Sequence, residues 1–494
     1  MTAPASPRGR NLALLAALLG WMFDGMEMGL FPLVAKNALA ELLGSGADKK
    51  TVDEWYGVII AGFLVGAATG GVLFGWLGDR IGRVRAMTIS VLVYSLASGL
   101  SAASTQAWHL AVLRFVGALG MGGEWALGVA LVMEMWPNAS RAWLAGGIGA
   151  FGNLGYTLCG SIALGLNRAG GRLPGWLTGM GMPDAWAASL TANGNWRLLL
   201  LMGVLPALLT LLIRLFVPES EKWQKEKEAG TASHWATRDL VGVLIGAAAA
   251  AGVITLWVGD RPMWLRIGGS LAGLVVVTLG FLYPARQFLW RAGLPLAERR
   301  RTLRLMLLAA GLSGVPLLAT WSGVMWMYMF VPKLPGGDHP DARAWMQVSS
   351  SLGAAAGCVV GALLCVSFGR RAVYAGLCVL SLLTIVGFYR FNTEYGTAVV
   401  LSAGLMGFVT ASFYGWLPLY LPELFPTKVR ATGQGFGFNF GRIIAAVGNL
   451  QMASLLAAFN NDYGRACSVV AGVYFVGLIL IALAPETKGK PLPE

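Results

Sequence analysis

An all-α protein that crosses a lipid bilayer many times is the fold class this sequence predicts, on three observations. Of 494 residues, 56% are hydrophobic and only 12% charged, against about a quarter charged in a soluble domain. The apolar residues gather in windows long enough to span a membrane, not in short alternating runs. The windows also form two sets of six that share landmarks, with a further pair between them. In so apolar a chain the net charge of +13 points to basic loops on one side of a membrane, not to nucleic acid.

The first set occupies 11–35, 54–75, 86–105, 108–135, 143–166 and 196–217. The inserted pair covers 239–258 and 264–283. The second set covers 303–331, 346–366, 372–388, 397–419, 431–456 and 466–484. At about 20 residues per crossing this predicts fourteen spans. The first window is not a cleavable signal, because it is too long and carries Asp24 and Glu27. With a cytoplasmic N-terminus, 22 of the 37 lysines and arginines fall inside and 12 outside. That bias predicts a multi-pass protein of the cell (inner) membrane with both termini in the cytoplasm. The expected organisation is a six-helix bundle over 1–218, a linker with two extra spans over 219–302, and a second six-helix bundle over 303–494. The extra pair has no ionisable residue in its deep core and carries an alanine run at 247–251; it reads as a peripheral hairpin.

The two sets repeat each other. Glu134-Met-Trp-Pro137-Asn-Ala-Ser-Arg141 closes the fourth window, and Glu423-Leu-Phe-Pro426-Thr-Lys-Val-Arg430 closes the twelfth. Pro218-Glu219-Ser220 ends the first set and Pro485-Glu486-Thr487 the last. Gly82-Arg83 is echoed by Gly369-Arg370-Arg371. Duplicated six-helix halves are a transporter architecture, with the solute held between them near the midplane.

Charges inside the apolar windows are expensive and therefore informative. Asp24 and Glu27 are three apart, so both are expected on one side of the first helix. Two carboxylates that close in a low dielectric cannot both ionise cheaply. One is expected to load and release a proton, as proton coupling requires. Glu124 in the fourth window is a third candidate. Arg114 lies at the height of Glu27 by helical rise; it is expected to pair with Glu27 and to swing to a substrate carboxylate. Arg442 has no acid in the apolar core of its own half. It therefore calls for an anionic ligand or an acid from the first half, gripped through paired hydrogen bonds, with Asn439 one turn away. Asn153, Tyr156, Trp321, Trp326, Tyr328 and Tyr414 stand near the midplane by position and are candidates for the cavity wall.

The loop Gly75-Trp-Leu-Gly78-Asp79-Arg80-Ile-Gly82-Arg83-Val-Arg85 resembles the signature loop of the major facilitator superfamily. Its glycines let two helix ends approach closely, and Asp79 can bridge to a basic group across the bundle interface. The resemblance implies a cytoplasmic latch made of Gly75, Gly78, Asp79, Arg80, Gly82 and Arg83, joined by Glu134, Arg141, Glu423 and Arg430. The second-half copy has no aspartate, so the latch is asymmetric. Across the chain, apart from the inserted pair, the resemblance implies the major facilitator fold. Pro218-Glu219-Ser220 and Pro485-Glu486-Thr487-Lys488-Gly489 are similar to the half-ending motifs of sugar porters. The acidic pair, Glu124 after Arg114, and Arg442 look like sialic acid and monocarboxylate–proton symporters. Proton-coupled import of a small organic or sugar acid by a monomeric carrier is what these imply, with a neutral sugar or metabolite as the alternative. The fourteen-span drug–proton antiporters carry a glycine–proline signature in the fifth span; here Gly146 to Gly155 has no proline.

Other chemistry is thinly represented. Cys159, Cys358, Cys365, Cys378 and Cys467 lie in apolar stretches without a CxxC pair and read as small core residues. His109, His234 and His339 have no metal-ligand spacing. No HExxH, GxSxG or GxxxxGK[ST] occurs, so no enzyme activity and no cofactor is expected.

Overall fold

The computed structural model describes residues 7–44, 49–135, 141–208, 217, 219, 221–228, 236–257, 261–339 and 341–493. The long apolar windows form helices because a backbone in lipid must satisfy its own hydrogen bonds. In the first half these are α1 (Pro7–Leu43), α2 (Lys49–Ile81), α3 (Arg83–Ser101), α4 (Ala107–Met135), α5 (Arg141–Ala169) and α6 (Asp184–Leu201). A short charged helix α7 (Glu221–Glu228) follows, then α8 (Leu240–Trp257) and α9 (Met263–Arg291). The second half holds α10 (Leu296–Ser322), α11 (Ala342–Phe368), α12 (Arg370–Phe391), α13 (Thr397–Ala411), α14 (Phe413–Tyr420), α15 (Arg430–Ala458), α16 (Tyr463–Ala471) and α17 (Val473–Leu483).

Among the described residues, twelve helices are long and apolar enough to cross a membrane, so the count of fourteen is not supported. The fifth predicted window is a 29-residue helix, α5, but it is diluted by glycines and bounded by Arg141 and Arg168. The sixth begins as α6 and a 3₁₀ turn, and residues 209–216 lie outside the described residues.

Within the first half α2 packs on α4, α3 on α4, and α1 on α5; within the second, α10 packs on α15 and α11 on α13. The halves meet along α5 against α11 and α2 against α15. The fifth window of one set thus faces the second of the other, in both directions, as a pseudo-two-fold relation requires. Small residues make these approaches possible: a side chain at Gly70 would strike the Leu119 backbone, and Gly149 lies against Cys358 across the seam. Gly82 (φ 113°) and Gly369 (φ 85°) precede α3 and α12 in a backbone region that side chains rarely adopt.

The hairpin α8–α9 is not merely peripheral. Its outer face is exposed, with Leu244 and Leu271 pointing away from the protein, yet its inner face packs on both α2 and α15. Phe288 and Leu289 bury themselves against Trp76 of α2 and Val429 just before α15. Asp239, fully buried, accepts two hydrogen bonds from Arg291 at 2.7 and 2.5 Å, closing the hairpin's base. The Arg80 guanidinium donates to Thr237 at 2.5 Å, tying the α2–α3 loop to the same base.

Candidate functional site

Between the halves lies a cavity that, counted with its opening to solvent, encloses about 1020 Å³ of empty space. Helix α1 contributes Asp24 to it, α5 Asn153 and Tyr156, α10 Trp321, and α15 Arg442; Tyr328 and Tyr414 complete the polar-tipped aromatic wall. Among the described residues lining it, Asp24 and Arg442 are the charged ones. No ion pair within 4.0 Å joins them, and both line the same cavity. Asn439 does not line the cavity. Its carbonyl accepts from Arg442 at 2.8 Å and its amide donates to the Gly435 carbonyl, so it positions the guanidinium. Phe438 lies under the same guanidinium at 5.1 Å. Asn153 donates to the Gly149 carbonyl at 2.9 Å, and the Tyr414 hydroxyl to Thr320 at 2.9 Å.

Trp326 is not on the cavity wall. α10 ends at Ser322, and a 3₁₀ turn over Val324–Trp326 swings the indole toward α15 and α16. There it donates to Asn449 at 3.1 Å and tilts on Tyr463.

The acidic residues divide differently from the sequence expectation. Asp24 and Glu27 do not share an environment, because three residues of helix leave about 60° between their directions. Glu27 turns into the α1–α3–α4 seam, where it pairs with Arg114 at 2.7 Å and accepts from Ser98 at 2.5 Å. Arg114 also donates to the Glu27 carbonyl at 3.0 Å and lies over Phe63. Neither Glu27 nor Arg114 lines the cavity, so Arg114 has no path to a bound solute in this arrangement. Asp24 faces Glu124 of α4 instead, beside Tyr94, and no hydrogen bond of good geometry satisfies either Glu124 oxygen. The carboxyl pair is therefore Asp24 with Glu124.

At the α2–α3 loop end, Asp79 pairs with Arg83 at 2.6 Å within its own loop. Its other oxygen crosses to the second half, accepting from the Thr432 amide at 3.1 Å and hydroxyl at 2.5 Å. This bridge runs to the first turn of α15, whose free amides favour an anion. Gly75 allows the approach, lying against the Ala431 and Thr432 backbone, whereas Gly78 makes room for Leu127 of α4. Glu423 receives Arg370 at 2.8 and 3.1 Å, Thr487 at 2.5 Å, and Arg141 from the first half at 3.3 Å. Arg430 holds the carbonyls of Phe425 and Pro493. The Glu134 side chain lies outside the described residues. The half-endings are matched devices: Glu219 accepts from the Arg83 and Val84 amides at the start of α3, and Glu486 from the Arg370 and Arg371 amides at the start of α12.

Cavity residues not singled out from the sequence include Trp125, Thr320, Gln347, Ser350 and Ser351. Gln347, Ser350 and Ser351 stand at i, i+3 and i+4 in an otherwise apolar window, a polar stripe the sequence does carry. Trp125 and Phe438 stack across the halves at 3.9 Å and 11°, and nothing in the sequence pairs them.

Comparison with known proteins agrees with this architecture. The chain is 26% identical over 482 residues to the cis,cis-muconate transport protein of Acinetobacter baylyi, covering 97% of this chain and 95% of that one. It is 23% identical over 481 residues to the niacin transporter NiaP of the same organism, covering 96% and 93%. Its fold matches that of the proton:xylose symporter XylE bound to 6-bromo-6-deoxy-D-glucose, with a TM-score of 0.68, 16% identity, and 98% and 97% of the two chains covered. The family model for "Sugar (and other) transporter" matches residues 12–243 and 295–494, leaving out a stretch that spans most of the α8–α9 hairpin. With paired helical halves, a cavity between them and a family match over most of its length, the chain is a transporter and not an enzyme, and it belongs to the sugar (and other) transporter family.

Proposed function

We propose that this protein imports a small organic or sugar acid together with protons, by alternating access of the two halves around the central cavity. The observation that carries the reading is the opposition of Arg442 and Asp24 in one cavity. A guanidinium with no acid within 4.0 Å among the described residues is an anchor for a carboxylate, which it grips through two parallel hydrogen bonds. A carboxylate arriving on Arg442 takes from Asp24 the cation that favours its ionised form, so solute binding and protonation promote each other. Glu124, packed against Asp24, gives that proton a second holder on the α4 side. Coupling by direct competition in the cavity replaces the moving Arg114 expected from sequence. The relatives named for cis,cis-muconate and niacin carry carboxylic acids by those names, which agrees with an anionic solute. The protein works as a monomer in the inner membrane with both termini cytoplasmic, the side favoured by the basic loops.

The test is uptake into proteoliposomes of carboxylates and their amides under an inward proton gradient. Acids are expected to accumulate and amides not. Arg442→Lys keeps the charge but loses the paired geometry, so it should weaken acid affinity by about 1.5–3 kcal/mol and leave amide affinity alone. Equal penalties for both, or acid uptake indifferent to the gradient, would overturn the reading.

A further inference from the structure

The cavity holds a second recognition element, on the opposite chemical footing from Arg442. Gln347 of α11 lines the cavity and is 1% exposed. Its amide nitrogen donates to the Tyr156 backbone carbonyl at 2.9 Å. That carbonyl fixes which end of the amide is which, because two oxygens would repel at this distance. The oxygen Oε1 is then left buried with no hydrogen-bond donor. A buried acceptor without a donor is costly, and native structures rarely leave one. The Ser351 hydroxyl does not resolve it: it donates to the Gln347 backbone carbonyl at 2.6 Å, so it is spent on the helix.

We propose that Gln347 Oε1 reads a hydrogen-bond donor on the solute, so that the preferred cargo is an acid carrying a hydroxyl or N–H group besides its carboxylate. The inference rests on the carboxylate reading of Arg442 and adds a specificity-determining residue to it. The two elements lie on different helices of the second half, α15 and α11, and line one cavity. A solute with one acidic end and one donor satisfies both; a bare hydrocarbon acid satisfies Arg442 and leaves the glutamine oxygen dry. Selection by a buried polar group of this kind rejects the analogue that lacks the donor, because the unpaired group is then desolvated without compensation.

The experiment measures binding to purified full-length protein with matched probes. 4-Hydroxybenzoate is compared with 4-methoxybenzoate, and mandelate with its O-methyl ether. Each acid is also compared with its amide. The parent is expected to prefer each hydroxy acid over its ether by about tenfold, the ratio one neutral hydrogen bond commonly supplies. Gln347→Met, similar in volume but without an acceptor oxygen, should lose that preference while its affinity for the ethers stays within about twofold of the parent. If the parent does not discriminate hydroxyl from ether, or if the Met variant discriminates as the parent does, the inference is overturned and the carboxylate reading stands. Should the parent discriminate hydroxyl from ether but bind acids and amides alike, the carboxylate reading falls and the role of Gln347 survives. A Met variant that loses ethers and hydroxy acids in equal proportion shows Gln347 to be a packing residue, and also overturns the inference.

Discussion

Asp24 and Glu27 are both buried carboxyls on one helix, yet their surroundings assign them different work. Glu27 is closed into a pair with Arg114, each 1% exposed, with Ser98 on the second oxygen. Removing one partner of such a pair strands a buried charge, at about 3–5 kcal/mol. Glu27→Gln is therefore expected to lower the thermal midpoint of the purified protein sharply. Asp24 has no such partner and faces the cavity. Asp24→Asn should leave the midpoint near that of the parent, abolish uphill accumulation, and spare counterflow exchange, which needs no net proton movement. Parent-like accumulation by Asp24→Asn would move the coupling role to Glu124. The same contrast between neighbours holds for Asn439 and Arg442, where one positions and the other faces the solute.

Helix starts are where the half-ending motifs act. Glu486 accepts hydrogen bonds from the amides of Arg370, Arg371, Thr487 and Lys488. Partial burial pushes its carboxyl up, but the four amide donors outweigh this and hold it below the usual carboxylate range. A group whose folded value is depressed contributes stability that is complete above its unfolded value, about 4.3, and that is lost as pH falls through the folded value. Glu486→Gln should accordingly lower the thermal midpoint at pH 7 by a margin that narrows as the pH is taken below about 4. A margin independent of pH between 7 and 3 would mean that the carboxylate charge is not what caps α12. Glu219 occupies the matching place at α3, so the two halves carry the same device on elements related by the repeat.

For the molecule as a whole, the contacts that cross the halves decide which side of the cavity is sealed. Asp79 reaches Thr432, Arg141 reaches Glu423, and Trp125 stacks on Phe438. Alternating access requires these to part. Cysteines introduced by Asp79→Cys and Thr432→Cys, joined by a short reversible cross-linker, should stop net uptake, and reductant should restore it. Undiminished uptake by the cross-linked protein would show that α2 and α15 do not separate in the cycle. The α8–α9 hairpin straddles the same α2–α15 seam and is tied to the signature loop through Arg80 and Thr237.

Much of this protein is legible without coordinates. Hydropathy windows, the duplicated Glu–Pro–Arg and Pro–Glu landmarks and the signature loop are local patterns, and local patterns survive in sequence because each is set by neighbours within a turn or two. They determine an all-helical membrane carrier of paired halves with an inserted pair. Glycine dilution of α5, and a sixth window of which residues 209–216 lie outside the described residues, leave twelve spanning helices in view where the sequence predicts fourteen. Which charges meet is another matter. Whether Asp24 faces Glu27 or Glu124, whether Asp79 finds a cation or a helix end, and whether Trp326 sees the cavity depend on the rotation of each helix about its axis and on a turn at Val324–Trp326. Those are fixed by packing between segments up to 353 residues apart in the chain, and only the tertiary structure decides them.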